Sequence, residues 1–216
     1  MTIAGLAGAG GIGFVLLALA INAVYIRVGF PMPNSGRSPS EVADSLVALG
    51  SRLKKPSVVA PATWLFTTVF AAGLLAELWR GEPRADAWAL VGFAGVLMQN
   101  ATFAVVEALR FGMAAAAQNR DSIVGLWTLN NVLFGFNQVF LALALIGFST
   151  AGAGVGFLPE WHAWLGYLSA ALLFVSSSAS PYNADGTNRI AVTGLIGWLG
   201  WAAWIVVCSV LLLAGS

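Results

Sequence analysis

The feature that most constrains this chain is the recurrence of long apolar segments. A helix needs about 20 mostly apolar residues to cross the hydrocarbon core of a bilayer. Six stretches come close to or exceed that length, at residues 3–28, 58–79, 87–117, 123–148, 161–177 and 190–214. Each run is continuous rather than alternating, which favours helices over the strands of a barrel. The sequence therefore predicts an all-α polytopic membrane protein, a six-transmembrane-helix bundle forming one membrane domain over residues 1–216.

Composition agrees with a membrane location and excludes several classes of function. Charged residues make up only 9% of the 216-residue chain and hydrophobic residues 59%, whereas soluble domains carry about 25% charged residues. Lys and Arg together number 10 against 9 for Asp and Glu, and they form no basic stripe of the kind that binds nucleic acid. A soluble enzyme and a nucleic-acid binder are both poor interpretations. The partners expected from composition are membrane lipids.

Loop charges predict the orientation, because cytoplasmic loops are enriched in Lys and Arg. Two basic residues, Arg80 and Arg84, fall on one side of the six predicted spans. The other side carries eight, namely Arg27, Arg37, Arg52, Lys54, Lys55, Arg110, Arg120 and Arg189. We expect that side to be cytoplasmic and both termini to lie outside a bacterial plasma membrane. The first segment is expected to be a mature helix, because its apolar run is too long for a signal peptide.

The longest link between predicted spans carries signals for a short helix over residues 38–53. Ser38, Pro39 and Glu41 match a capping box with proline at the first helical position. Apolar residues then recur at helical spacing, and basic residues close the segment. An amphipathic helix lying on the cytoplasmic leaflet accounts for these features.

Several motifs do not support the chemistry that they resemble. The glycines of 8–13 match a dinucleotide fingerprint, but they open a membrane span, where small residues permit close helix packing. His162 and Cys208 are the only residues of their kinds, so no metal site or catalytic triad is predicted. His162 is interpreted as a polar residue at the membrane interface. We predict no catalytic residue, no metal and no cofactor.

Polar residues inside spans are costly and mark the interior of a bundle. Here they concentrate in the third and fourth spans. Residues seven apart share a helix face, and the short link at 118–121 predicts an antiparallel hairpin, so Glu107 should lie level with Asn131 and Asn100 level with Gln138. We expect Glu107 to face Asn130 or Asn131 and to be the most sensitive position of the chain. The candidate ligand-binding residues in these spans are Gln99, Asn100, Glu107, Asn130, Asn131, Asn137 and Gln138.

Two interpretations of this cluster remain open. In the first, the amides tie helices together, with Glu107 paired to Arg110 or Arg27. Alternatively, they line a cavity that binds a polar headgroup, a small solute or a proton. Trp198 and Trp201 lie deep in the last span and either fill the core or stack against a flat or lipidic ligand. We add both to the candidate ligand-binding residues.

The last three spans resemble a known group of sequences. The chain runs Leu-Ala-Leu-Ala-Leu-Ile-Gly-Phe from Leu141, followed by Leu158-Pro159-Glu160-Trp161. This pattern is similar to bacterial six-helix membrane proteins of uncharacterised function. The resemblance implies the same six-helix fold and carries no site residue.

Three functions compete at this point. The first is binding or passage of a hydrophobic or amphipathic small molecule or lipid through the polar cluster. The second is a non-catalytic subunit of a larger membrane complex or a homo-oligomer, which small size and glycine-rich faces favour. The third is a membrane-embedded lipid-modifying enzyme using Glu107, and it ranks last because no second acid or base accompanies that carboxylate.

Overall fold

The computed structural model describes residues 2–33 and 35–215, except for the side chains of Ser51, Arg120 and residues 53–56. Lys54, Lys55, Arg120 and Ser216, on which the orientation prediction drew, lie outside this description, wholly or in their side chains. Every regular element of the described chain is helical. The seven α-helices in the described ranges are α1 (Ile3–Val28), α2 (Pro39–Leu49), α3 (Lys54–Leu78), α4 (Pro83–Ala115), α5 (Arg120–Gly154), α6 (Glu160–Ser178) and α7 (Ala191–Ala214).

Long apolar helices confirm the class of protein. Within the described residues, five helical segments are long and apolar enough to cross a membrane: Ile3–Val28, Ser57–Leu78, Pro83–Ala115, Asp121–Gly154 and Ala191–Ala214. α6 falls outside this set because its 19 residues include Glu160, His162 and several serines. The helices thus indicate a multi-pass integral membrane protein.

Six helices form a closed ring. Going round it, α1 packs on α3, α3 on α4, α4 on α5, α5 on α6, α6 on α7, and α7 returns to α1. We call the end at which α1, α4 and α6 finish the basic end, since it carries Arg27, Arg37 and Arg189. In the half of the ring away from that end, the interior is filled by a core that includes Phe70, Phe148 and Trp204.

Glycines bring helices into contact where a side chain could not fit. A Cβ on Gly147 of α5 would collide with the backbone of Gly92 on α4, which sets the register of that hairpin. Since Gly92 and Gly147 lie level, Asn100 and Gln138 lie level too, as the sequence predicts. Near the far end, Gly8 of α1 similarly fits against Leu213 of α7. The interpretation of the Gly8–Gly13 run as a packing surface is therefore confirmed.

The α4–α5 hairpin is longer than a bilayer requires. Its helices have 33 and 35 residues, about 50 Å each, against a hydrocarbon core of about 30 Å. The segment after α6 packs beside α5 well below the hairpin turn: Asn131 Nδ2 donates to Ala184 O at 3.3 Å, and Gly135 abuts Ser180. The hairpin therefore extends beyond the other helices at the basic end.

α2 packs on this extension. The helix begins at the predicted capping box, in which Ser38 and Glu41 cap each other's backbone reciprocally. Its apolar residues Val42, Leu46 and Leu49 are at most 4% exposed, in a second core with Trp127 and others. An α-helix therefore occupies residues 39–49 of the predicted 38–53 segment, and protein covers the apolar face that was expected to lie on lipid. Sequence periodicity shows that a face is apolar without showing what buries it.

Candidate ligand-binding cavity

The half of the ring nearer the basic end encloses a cavity of about 650 Å³. All six helices of the ring contribute to its wall, together with loop residues such as Pro33 and Asn188. Volumes of this size are typical of sites for small organic ligands. The cavity reaches the surface, because several of its lining residues are exposed, among them Leu19, Thr187 and Leu195.

α4 turns one face toward the cavity, made of Gln99, Phe103, Glu107 and Arg110. Their spacings of four, four and three residues keep them on one side of a helix. Asn100 is rotated by about 100° from Gln99 and points away from the cavity toward α3. Gln99, and not Asn100, therefore belongs to the site.

Asn100 ties α4 to α3 instead. Its Oδ1 accepts from Thr67 Oγ1 at 3.0 Å, and its Nδ2 donates to Thr68 Oγ1 at 3.1 Å and to Trp64 O at 3.3 Å. Both donors and one acceptor site of its amide are therefore used between helices. The prediction that Asn100 binds ligand receives no support, because the bonds to α3 satisfy it.

α5 presents Phe134, Asn137, Gln138 and Leu141 to the cavity. The Phe134 ring lies 6.3 Å from the ring of Phe103, centroid to centroid, so the two form a wall shared by α4 and α5. Space for Gln138 comes from α7: a Cβ on Gly194 would lie 2.5 Å from Gln138 Nε2.

Three residues that line the cavity each have a buried side-chain amide oxygen without a partner. Gln99, Asn137 and Gln138 are 7%, 4% and 6% exposed. Within the described part of the chain, Gln99 Oε1, Asn137 Oδ1 and Gln138 Oε1 accept no hydrogen bond. A buried amide without a partner costs about 1–3 kcal/mol, so three in one wall need an explanation. A polar species in the cavity would supply hydrogen-bond donors for such oxygens.

Indole groups add donors to the same wall. Trp64 and Trp201 both line the cavity, and their Nε1 atoms are buried and find no acceptor among the described residues. Trp198 also lines it and is half-buried. Trp201 stacks on Trp204 with ring centroids 5.9 Å apart. Because Trp204 belongs to the packed core, the pair forms the floor of the cavity.

Near the basic end, the cavity wall holds a buried ion pair. Arg110 Nη1 donates to Glu107 Oε2 at 2.8 Å, and both side chains are almost fully buried. Tyr25 donates to Glu107 Oε1 at 2.5 Å and lies 2.9 Å from the hydroxyl of Ser57. This network joins α1, α3 and α4. The guanidinium also lies over the rings of Tyr25 and Phe30, at 5.1 and 5.4 Å, where cation–π attraction stabilises its charge.

Glu107 does not face Asn130 or Asn131, contrary to the sequence prediction. The pairing with Arg110, which was the structural alternative, is the one found. Asn131 bonds the loop after α6, and Asn130 is fully buried outside the cavity, its amide unpaired within the described chain. Residue spacing predicts the depth of Glu107 and the face of α4 on which it lies, but it does not predict which helix packs against that face.

His162 packs inside the protein rather than against lipid or water. Its ring is completely buried, with Nε2 3.0 Å from Trp204 O and the ring stacked on that indole at 5.1 Å. These contacts of the buried histidine hold α6 against α7. Among the described residues, no three His, Cys, Asp or Glu side chains gather in a group that could hold a metal ion.

Four residues that line the cavity were not among the ligand-binding residues predicted from the sequence: Tyr25, Trp64, Arg110 and Arg189. Tyr25 carried a usable signal, because a phenol near a span end needs a partner and Glu107 lies at the matching depth. Arg189 sits at the mouth and was counted only as a loop charge.

Comparison with protein-family models, curated protein sequences and solved structures finds no match. The arguments for function therefore come from the cavity itself.

Proposed function

We propose that this protein binds an amphipathic small molecule or lipid in the cavity between its six ring helices. The observation that carries the proposal is the set of buried, unpaired amide oxygens of Gln99, Asn137 and Gln138, three residues that line the cavity. Asn100, by contrast, uses its amide for hydrogen bonds between α4 and α3. A ligand with polar and apolar parts supplies what the wall lacks.

The proposal includes six crossings, with the basic end in the cytoplasm of a bacterial plasma membrane. Its support is that Gly8 near the start of α1 lies beside Leu213 near the end of α7. Two such ends on one side require an even number of crossings, so α6 crosses together with the five more apolar helices. Arg27, Arg37 and Arg189 at the basic end favour the cytoplasmic assignment.

Binding is favoured over transport. The lining residues that are exposed, such as Ile26, Ser35 and Val192, all lie toward the basic end, so the cavity is reached from that half of the protein. Beyond the floor lies the packed core of Phe70, Phe148 and Trp204. A transporter would have to open that core, whereas a binding protein needs access from one half alone.

The test compares a variant in which a new phenylalanine side chain fills the cavity with a variant in which the same side chain lies outside it. Ala18 lines the cavity, whereas Ala20 on the same helix faces outward. We expect the wild-type protein and Ala20→Phe, purified from membranes, to retain the same molecule by mass spectrometry. Ala18→Phe should lose it while melting no lower than Ala20→Phe once both are stripped of bound molecules. Equal retention by both variants, or no retained molecule in the wild type, would overturn the proposal.

A further inference from the structure

The charges and hydrogen-bonding groups of the lining residues also indicate which kind of molecule fits the cavity. We propose that the occupant is a lipid whose polar group is uncharged and bears hydroxyls, and whose hydrocarbon chain leaves the ring between α1 and α7. This inference rests on the proposed function and narrows it to one ligand class.

The gap between α1 and α7 lies beside the cavity. These helices touch where Gly8 and Gly11 fit against residues such as Ile205 and Ser209, in the half of the ring away from the basic end. In the other half, both helices line the cavity with large apolar residues that are also exposed at the surface, namely Leu19, Ile26, Val192 and Leu195. Residues that face both the cavity and the outer surface provide an apolar path along which a chain can pass into the bilayer.

The inner part of the cavity offers no net charge to a ligand. Glu107 and Arg110 neutralise each other at 2.8 Å, and Arg189 is exposed at the mouth. Around the floor, the polar lining consists of neutral amides and indoles. A charged headgroup drawn into that region would lose its hydration without gaining a counter-charge, which is strongly unfavourable.

The unpaired atoms lie just beneath the cavity surface and include both acceptors and donors, so their side chains must turn toward a ligand to pair with it. The amide oxygens of Gln99, Asn137 and Gln138 need donors, while the indole nitrogens of Trp64 and Trp201 need acceptors; the described chain supplies neither. A ketone or ester offers acceptors alone and would leave the amide oxygens unpaired. A hydroxyl donates one hydrogen bond and accepts two, so a group bearing several hydroxyls satisfies both sets.

The experiment uses the full chain in phosphatidylcholine nanodiscs. Four probe lipids with the same diacyl chains are added separately: a monoglucosyl diacylglycerol, its peracetylated form, phosphatidic acid and a diacyl trimethylammonium lipid. Retention after exchange into fresh phosphatidylcholine is measured by mass spectrometry. We expect the glucosyl lipid to be retained roughly tenfold more than each of the others, the difference that one well-made hydrogen bond provides.

Asn137→Leu and Asn130→Leu form the matched pair of variants. Both remove a buried asparagine whose Oδ1 has no partner within the described residues, two turns apart on α5, and only Asn137 lines the cavity. Asn137→Leu should lower retention of the glucosyl lipid roughly tenfold, and Asn130→Leu should leave it unchanged. Preferential retention of a charged or peracetylated probe would overturn this inference while leaving the proposed function intact. Equal retention in the two variants, or none in the wild type, would also overturn this inference, whereas the proposed function stands or falls on the comparison of Ala18→Phe with Ala20→Phe.

Discussion

At the scale of single residues, Glu107 shows that the stability cost of removing a buried charge depends on the partner of that charge. Taken alone in the sequence, a carboxylate in a span could be replaced by an amide at little cost, or even with a gain from relieved desolvation. In the structure its removal would leave Arg110 buried at 2% exposure without its counter-charge. Breaking one side of such a pair is costly.

We therefore expect Glu107→Gln to lower the free energy of unfolding by about 3 kcal/mol. The double variant Glu107→Gln/Arg110→Met should recover most of that loss, since it removes both charges. Reversible unfolding in mild detergent, arranged as a double-mutant cycle, measures the coupling. A single variant as stable as the wild type would show that the pair contributes nothing to the fold.

At the scale of helices, the sequence predicts some boundaries closely and others not: α4 begins four residues before the predicted span 87–117, and α5 ends six residues beyond the predicted span 123–148. The starts and ends of α1 and α7 fall within two residues of those predicted, because continuous apolar runs have few other solutions in a membrane. The level of Asn100 against Gln138 follows from the short α4–α5 turn. The neighbours of each face do not follow: nothing in the spacing of Glu107 indicates that α1, rather than α5, supplies its partner Tyr25.

The α4–α5 contact gives a direct test of packing. A Cβ at Gly147 meets the backbone of Gly92 and Trp88, which cannot move aside as a side chain would. Gly147→Ala should therefore lower stability by about 1–3 kcal/mol. Gly125 on the same helix has open space around it, so Gly125→Ala should be neutral or stabilising by up to about 1 kcal/mol. Thermal melts of the two variants that shift equally would contradict the close approach.

The capping box of α2 predicts a dependence on pH. Hydrogen bonds from the Ser38 backbone N–H and hydroxyl lower the pKa of Glu41. A carboxyl whose pKa is depressed by folding stabilises the helix above its ordinary pKa, and the contribution is lost as the pH falls through the folded value. Hydrogen exchange of residues 39–49, corrected for intrinsic rates, should quicken on acidification, and Glu41→Gln should remove that dependence. The same acceleration in Glu41→Gln would assign it to another group.

At the scale of the whole molecule, the closed ring of helices explains why the sequence predicts only part of the cavity lining. Six of the nine candidate residues line it: Gln99, Glu107, Asn137, Gln138, Trp198 and Trp201. The sequence located them because polar groups and deep indoles are rare in spans. It placed the four polar residues in a two-helix interface and the two indoles separately in the last span, however, since the closure of α7 onto α1 is a long-range contact that no local pattern encodes.

The topology can be checked by labelling introduced cysteines in a Cys208→Ala background. Arg84 and Glu160 are exposed at the end away from the basic end, and Thr187 is exposed at the basic end. With six crossings and a cytoplasmic basic end, an impermeant maleimide should label Arg84→Cys and Glu160→Cys in intact cells, but Thr187→Cys only after lysis. Labelling of Glu160→Cys and Thr187→Cys from the same side would show that α6 does not cross.

The most direct test of the central claim is an experimental structure of the protein in a lipid nanodisc at a resolution that distinguishes lipid from water. We predict elongated density that begins at the amides of Gln99, Asn137 and Gln138 and leaves between Leu19 and Leu195. The amide groups should lie within hydrogen-bond distance of its inner end. A cavity filled by ordered water alone, or one collapsed so that the amides bond to each other, would contradict the account.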